Sequence, residues 1–192
     1  MNNENGPTVP PYIRPLPPAD APVEARDTYE EFSRRMGFPS PPNFITTQGH
    51  SPTVAKASWD LVRNVLVTGK IERWIKEMLF AAISKDRNCN YCAAAHIACC
   101  RMLGVDHVML NALVRDVNSL SNPKLRDMLL FGLKCSRNPQ KISEADYKKL
   151  RSHGLGQSEI LELIAMSGLA VYANIMADAT GMEADAIFAS LS

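Results

Sequence analysis

The sequence predicts an all-α fold, and three observations along its 192 residues support this prediction. Apolar residues recur at helical spacing in most segments, as in "IERWIKEMLFAAISKD" at residues 71–86. These segments commonly open on an N-cap residue or proline and close on glycine, as helices in proteins do. No segment alternates apolar and polar residues between hairpin turns, which strands of an antiparallel sheet would require.

Residues 23–192 are predicted to form a single domain of consecutive helices, and this length suffices for one well-packed core. Asp106 suits the N-cap of one helix, and Ser121 stands at the beginning of the next. Asp146 follows three residues after Ser143, as in a capping box. The predicted helices cover residues 23–37, 51–69, 71–86, 93–103, 107–117, 124–137, 144–154 and 158–180, with a short helix after Gly181.

Residues 1–22 contain seven of the thirteen prolines in the chain. Proline lacks a backbone N–H, so this segment cannot be a regular helix or a central strand. We therefore predict an extended N-terminal arm before the helical domain. Two arrangements remain open for it: a contact across a neighbouring subunit and a flexible tail.

An internal similarity links two predicted helices at an offset of 50 residues. "KEMLFAAISKDRN" at 76–88 aligns with "RDMLLFGLKCSRN" at 126–138, with identical residues at several positions. This alignment indicates a duplicated helical unit. Only the first copy carries Cys89, Cys92 and His96.

The overall charge and hydropathy exclude several classes of partner. The chain has 21 basic and 20 acidic residues and no basic stripe, so a nucleic-acid partner is not expected. The most apolar long segment, residues 160–176, is short for a membrane span and contains Glu162. The polar, proline-rich N-terminus does not resemble a secretory signal, which makes a cytoplasmic location the expectation.

The chain has five cysteines, and four of them fall between residues 89 and 100. A disulfide scaffold would distribute its cysteines along the chain, so this clustering points to a local site. Cys135 stands apart and is interpreted as a small buried residue of the core.

The stretch "NCNYCAAAH" at residues 88–96 has the pattern of a redox site. Cys89 and Cys92 stand at the beginning of a predicted helix, where free N–H groups and the helix dipole stabilise a thiolate. His96 lies one turn after Cys92 on the same face and could exchange a proton with it. Glu77 lies in an apolar stretch of the preceding helix, where a carboxylate usually requires a partner.

Metal binding is the main alternative from the residues alone. Covalent haem attachment is excluded because Ala93, not histidine, follows Cys92. A structural zinc site usually draws its ligands from two separated segments, whereas these candidates share one helix and its lead-in, so redox chemistry is favoured. The candidate ligands are Cys89, Cys92, His96 and either Cys99 or Cys100.

The four residues Glu77, Cys89, Cys92 and His96 form the pattern Glu-x11-Cys-x2-Cys-x3-His, in "EMLFAAISKDRNCNYCAAAH". This pattern resembles the signature of the alkylhydroperoxidase D (AhpD) family, within the carboxymuconolactone decarboxylase superfamily. The resemblance covers roughly residues 50–180, and the N-terminal arm is similar to that of the family's peroxidase-related branch. It implies an AhpD-like helical bundle that assembles into a homo-oligomer, a trimer or a hexamer.

The resemblance also implies a mechanism without a metal or an organic cofactor. Cys92 would attack the hydroperoxide and become a sulfenic acid, and Cys89 would resolve it as a disulfide. His96 and Glu77 would form a proton relay. An external dithiol would reduce the disulfide again, and in AhpD proper this donor is a lipoyl group on a partner protein.

One position departs from the family pattern. AhpD proper carries a histidine next to the second cysteine, where this chain has Tyr91, a poor proton acceptor near neutral pH.

The expected function is a thiol-dependent peroxidase acting on organic hydroperoxides. The alternatives are a metal-binding or redox-sensing helical oligomer and a general thiol–disulfide oxidoreductase; the cysteine pair argues against lactone decarboxylation.

Overall fold

The computed structural model describes residues 11–189, and in this range all regular secondary structure is helical, without a strand. The predicted all-α fold is confirmed. The helices are α1 (Val23–Met36), α2 (Asn43–Gln48), α3 (Pro52–Val62), α4 (Arg73–Asp86), α5 (Asn90–Met102), α6 (His107–Arg115), α7 (Pro123–Arg137), α8 (Glu144–Ser152), α9 (Gln157–Thr180) and α10 (Ala186–Ala189).

Helix α4 forms the centre of the bundle and packs against α5, α7 and α9. Every side chain from Lys76 to Ser84 is buried, including two charged ones. Gly132 of α7 permits close packing here, because an added Cβ would lie 2.4 Å from the Leu79 side chain of α4. The functional residues predicted on α4 and α5 therefore lie near the buried centre of the bundle.

The N-cap residues and the helix bounds agree with the prediction except at two places. Asp106 accepts a hydrogen bond from the Met109 N–H at 2.9 Å, as expected for an N-cap. The cap of α7 is Asn122 rather than the predicted Ser121, and its side chain accepts from the Leu125 N–H. Helix α3 also ends earlier than predicted, because residues 63–67 continue it as a π-helical turn.

Part of the predicted arm lies on the same chain. The N–H groups of Tyr12 and Ile13 donate to the Thr180 carbonyl at the end of α9, at 2.9 and 3.2 Å. The Leu16 N–H donates to the Thr46 carbonyl in α2 at 3.0 Å. Residues 1–10 of the arm lie outside the described range.

The helix limits agree with the internal similarity at an offset of 50. The α4–α5 hairpin corresponds in position to α7 and to the segment from the 3-10 turn at 139–141 through α8. Asp127 stands where Glu77 stands in the first unit and lies 2.8 Å from His153 Nε2. This contact is not equivalent to the one between Glu77 and His96, because Asp146 stands at the position of His96, and the second unit has no cysteine in place of Cys89 or Cys92.

Helix α9 contains 24 residues, and by length and composition alone it could cross a membrane. Half of its most apolar window is buried inside the protein, where α9 packs against α4 and α7. Its Glu162 forms an ion pair with Lys76 of α4 at 2.9 Å. These contacts are those of a core helix in a bundle.

Candidate functional site

The two cysteines of the motif occupy the beginning of α5, after a tight turn from α4. Asn88 adopts a left-handed conformation, with φ of 60°, which turns the chain toward the new helix. Cys89 is the N-cap residue, and Cys92 lies in the first turn of α5, where backbone N–H groups lack intrahelical partners. Both side chains are buried, and all five cysteines of the chain are free thiols.

The environment distinguishes the two thiols of the pair. The pKa of Cys89 is raised far above its ordinary value, first because its thiol is hydrogen-bonded to the Cys92 sulfur and second because it is buried. The burial and the contact with Cys92 thus both favour the protonated form of Cys89.

Glu77 and His96 form a direct contact between α4 and α5. Glu77 Oε2 lies 2.5 Å from His96 Nδ1, and Glu77 Oε1 accepts from Arg73 Nε at 3.1 Å. The Phe80 ring stacks on the imidazole with a centroid distance of 3.5 Å. The Glu77 side chain has no exposed surface, so both carboxylate oxygens depend on these partners.

This arrangement can hold an imidazole in one orientation. Glu77 fixes Nδ1, and Phe80 fixes the ring plane, which leaves the other ring nitrogen for proton exchange. His96 and Cys92 line the same cavity, one turn apart on α5. The structure thus brings together Glu77 and His96 directly, and Cys92 through the shared cavity.

The cavity beside Cys92 and His96 is small and apolar. Its volume is about 40 Å³, which accommodates a few water-sized groups such as the two oxygens of a hydroperoxyl group. An alkyl group bound here would lie against the apolar side chains of the wall. Among the residues that form this wall are Phe38, Phe44, Val62, Leu66, Phe80 and Phe188.

The C-terminal segment closes one side of the cavity through Tyr91. The Tyr91 hydroxyl donates to Asp185 at 2.8 Å and accepts from the Phe44 N–H at 2.9 Å. Burial raises the pKa of both Tyr91 and Asp185. The ring of Phe188 packs edge-on against Tyr91 at 6.2 Å, so the tyrosine supports the wall of the cavity.

The candidate metal ligands predicted from the sequence differ from those that lie close together in the structure. Within residues 11–189, the three candidate ligands that lie close together are Glu77, His96 and Cys99. Cys89 and Cys92 are not part of this cluster. The pKa of Cys99 is raised, first by burial and then by the charge of Glu77.

Sequence reasoning missed several residues of the site. Arg73 and Phe80 are spaced four residues before and three after Glu77, and this helical spacing could have identified them. Asp185 and Phe188 are nearly a hundred residues from the cysteine pair, and no local pattern connects them to it.

No family model and no curated protein matches the chain. Among solved structures, it is similar to an uncharacterized peroxidase-related protein from Ralstonia eutropha JMP134, described as an alkylhydroperoxidase AhpD core, with a TM-score of 0.84 and 25% identity over 95% of each chain. A peroxidase-related protein from Silicibacter sp. TM1040 has a TM-score of 0.83 and 26% identity, over 96% of this chain and 97% of that one. The debrominase Bmp8 shares the fold, with a TM-score of 0.79 and 20% identity over 93% of this chain and 95% of its own.

Proposed function

Because the chain belongs to the AhpD-like family, we propose that it is a thiol-dependent peroxidase that reduces organic hydroperoxides as an antioxidant enzyme. The observation that supports this most strongly is the geometry around Cys92. Its thiol lines an apolar cavity together with His96, whose imidazole contacts the buried carboxylate of Glu77.

In the first step, the Cys92 thiol gives its proton to His96, and the resulting thiolate attacks the hydroperoxide. A sulfur–oxygen bond forms while the oxygen–oxygen bond breaks, which oxidises the sulfur to a sulfenic acid. The alkoxide leaving group takes the proton from His96 and departs as an alcohol. Glu77 stabilises the imidazolium that exists between these transfers.

In the second step, the Cys89 sulfur attacks the Cys92 sulfur and forms a disulfide. The proton of Cys89 leaves with the hydroxyl group of the sulfenic acid as water. An external dithiol then reduces the disulfide by thiol–disulfide exchange and is itself oxidised. A lipoyl group on a partner protein would supply such a dithiol, and assembly into a trimer or a hexamer in the cytoplasm belongs to the same proposal.

Replacing Cys89 by serine tests the division of roles within the pair. The variant is expected to consume about one equivalent of cumene hydroperoxide and then accumulate a sulfenic acid on Cys92, because no neighbouring thiol resolves it. A sulfenic-acid-specific reagent followed by peptide mapping detects this species. Cys135→Ser is the matched control, since burial raises the pKa of Cys135 to about 11 and it lies outside the cavity.

Two results would contradict the proposal. One is full turnover of both the Cys89→Ser and the Cys92→Ser variants with dithiothreitol as reductant. The other is bromide release from 2,3,4-tribromopyrrole, a compound that the debrominase Bmp8 was crystallised with, in the absence of hydroperoxide consumption.

Replacing Phe188 by alanine is expected to widen the range of substrates. Loss of this ring opens the cavity wall, so kcat/KM for cumene hydroperoxide should rise roughly tenfold relative to hydrogen peroxide, within the range that a pocket discriminates by size. Phe131→Ala is the control, since it also removes a buried ring but does not line the cavity. The same substrate ratio in both variants would show that Phe188 does not limit substrate size.

A further inference from the structure

Cys99 has no role in the proposed reaction, yet it is buried against the proton relay. It follows His96 by three residues, so both side chains project from the same face of α5. Glu77 faces them from α4, and ligand atoms of these three residues all lie within 4.8 Å of one another. A thiol, an imidazole and a carboxylate thus converge from two helices on one point.

These three groups are the ligands that Zn²⁺ takes in proteins. Two ligands three residues apart on one helix, with a third from a facing helix, is a common way to build a metal site in a helical bundle. Zinc bonds of about 2.0–2.3 Å in a tetrahedral site place the ligand atoms roughly 3.3–3.8 Å apart. The distance between Glu77 Oε2 and His96 Nδ1 is 2.5 Å, so these two atoms would have to separate by about 1 Å to admit the ion.

The charges around the cluster also suit a divalent cation. A Cys99 thiolate and the Glu77 carboxylate would provide two negatively charged ligands, and the Arg73 guanidinium already offsets part of the carboxylate charge. Arg73 holds Glu77 Oε1 and leaves Oε2 for the ion, as an outer partner orients a metal ligand. The cavity beside His96 and Cys99 provides space for a fourth ligand, such as water.

We propose that Glu77, His96 and Cys99 form an inhibitory binding site for Zn²⁺. The ion takes the position of the proton between His96 Nδ1 and Glu77 Oε2, that proton moves to His96 Nε2, and the proton of Cys99 is released to solvent. An imidazole held by zinc cannot accept the proton of Cys92, so occupancy stops turnover reversibly. The inhibitory consequence depends on the proposed peroxidase function, whereas the binding site does not.

Titration with Co²⁺ under reducing conditions tests the binding site directly. The background is the Cys89→Ser, Cys92→Ser double variant, in which the motif's own thiols are absent. We expect one equivalent of Co²⁺ to produce a thiolate-to-cobalt charge-transfer band and the visible bands of a tetrahedral site, both removed by one equivalent of Zn²⁺. Adding Cys99→Ser should abolish the charge-transfer band and weaken Zn²⁺ binding by at least about 100-fold, beyond the effect of losing an outer-shell partner.

Cys100→Ser on the same background is the matched control, because Cys100 is equally buried but is not part of the cluster. It should keep both the band and the affinity. Thermal unfolding separates lost binding from lost folding, since bound Zn²⁺ should raise the Tm of the background protein and not that of the Cys99→Ser variant. A charge-transfer band that persists in Cys99→Ser, or its absence from the background variant, would overturn the inference whether or not the protein consumes peroxide.

Discussion

Replacing Cys92 by serine is expected to lower the rate of hydroperoxide consumption by at least about a thousandfold, because loss of the nucleophile removes the step that breaks the oxygen–oxygen bond. Serine has nearly the size of cysteine, and Cys92 lies at a cavity, so the fold should be kept. The measurement is the initial rate with cumene hydroperoxide and dithiothreitol at equal protein concentration. Cys135→Ser, in α7, should retain the unmodified rate.

Retention of most of the activity by Cys92→Ser would contradict the assignment of the nucleophile. The Cys89→Ser variant separates two explanations of such a result. If that variant alone lost the first equivalent of peroxide consumption, the roles of the two cysteines would be exchanged. If both variants kept full turnover, the cysteine pair would not be the reactive site.

Replacing Glu162 by alanine is expected to lower the free energy of unfolding by about 3–5 kcal/mol, the cost of leaving a buried charge without its partner. The Lys76 ammonium has no exposed surface and contacts Glu162 at 2.9 Å. It also donates to the Val65 and Thr68 carbonyls at the end of the π-helical turn. Urea denaturation of the variant and the unmodified protein measures this difference.

The ion pair also makes a pH-dependent contribution. Burial acts to raise the pKa of Glu162, but hydrogen bonds from the Lys70 N–H and the Lys76 ammonium outweigh it and hold the pKa below its ordinary value. The stabilisation is therefore present above the ordinary pKa of glutamate and is lost as the pH falls through the lowered pKa. The free energy of unfolding of the Glu162→Ala variant should therefore fall less steeply as the pH is lowered through this range.

Glu144→Ala provides the control, because Glu144 forms an exposed ion pair with Arg151. Exposed pairs contribute about 0–1 kcal/mol, so this variant should unfold nearly as the unmodified protein does. An equally small effect for Glu162→Ala would show that Lys76 is not held by this partner.

The ion pair between Lys76 and Glu162 also bears on function, because Lys76 contacts the π-helical turn. Val62 and Leu66 at this turn line the cavity beside Cys92.

The helical fold and the pattern of the motif could be predicted because both are local. Apolar spacing and caps set the helices, and the fixed intervals from Glu77 to His96 place these residues on facing helices of one hairpin. The contact between their side chains, at 2.5 Å, agrees with the relay that the resemblance implied. The role of each group in chemistry remains a prediction.

The remaining features depend on tertiary contacts that local patterns do not record. Lys76 and Glu77 are adjacent charged residues, and both are fully buried because α9 and α5 supply their partners. Asp185 and Phe188 reach the site only through folding of the C-terminal segment. The cap at Asn122 was missed because Ser121 beside it is an equally good cap residue.

The most direct test of the proposed chemistry is peptide-mapped mass spectrometry of the fully reduced protein after one equivalent of cumene hydroperoxide. We expect rapid formation of an equal amount of the alcohol and the loss of two hydrogens, localised to a bridge between Cys89 and Cys92. Dithiothreitol should restore the reduced mass. Slow oxidation scattered over Cys99, Cys100 and Cys135, with the Cys89–Cys92 pair left reduced, would contradict the peroxidase mechanism.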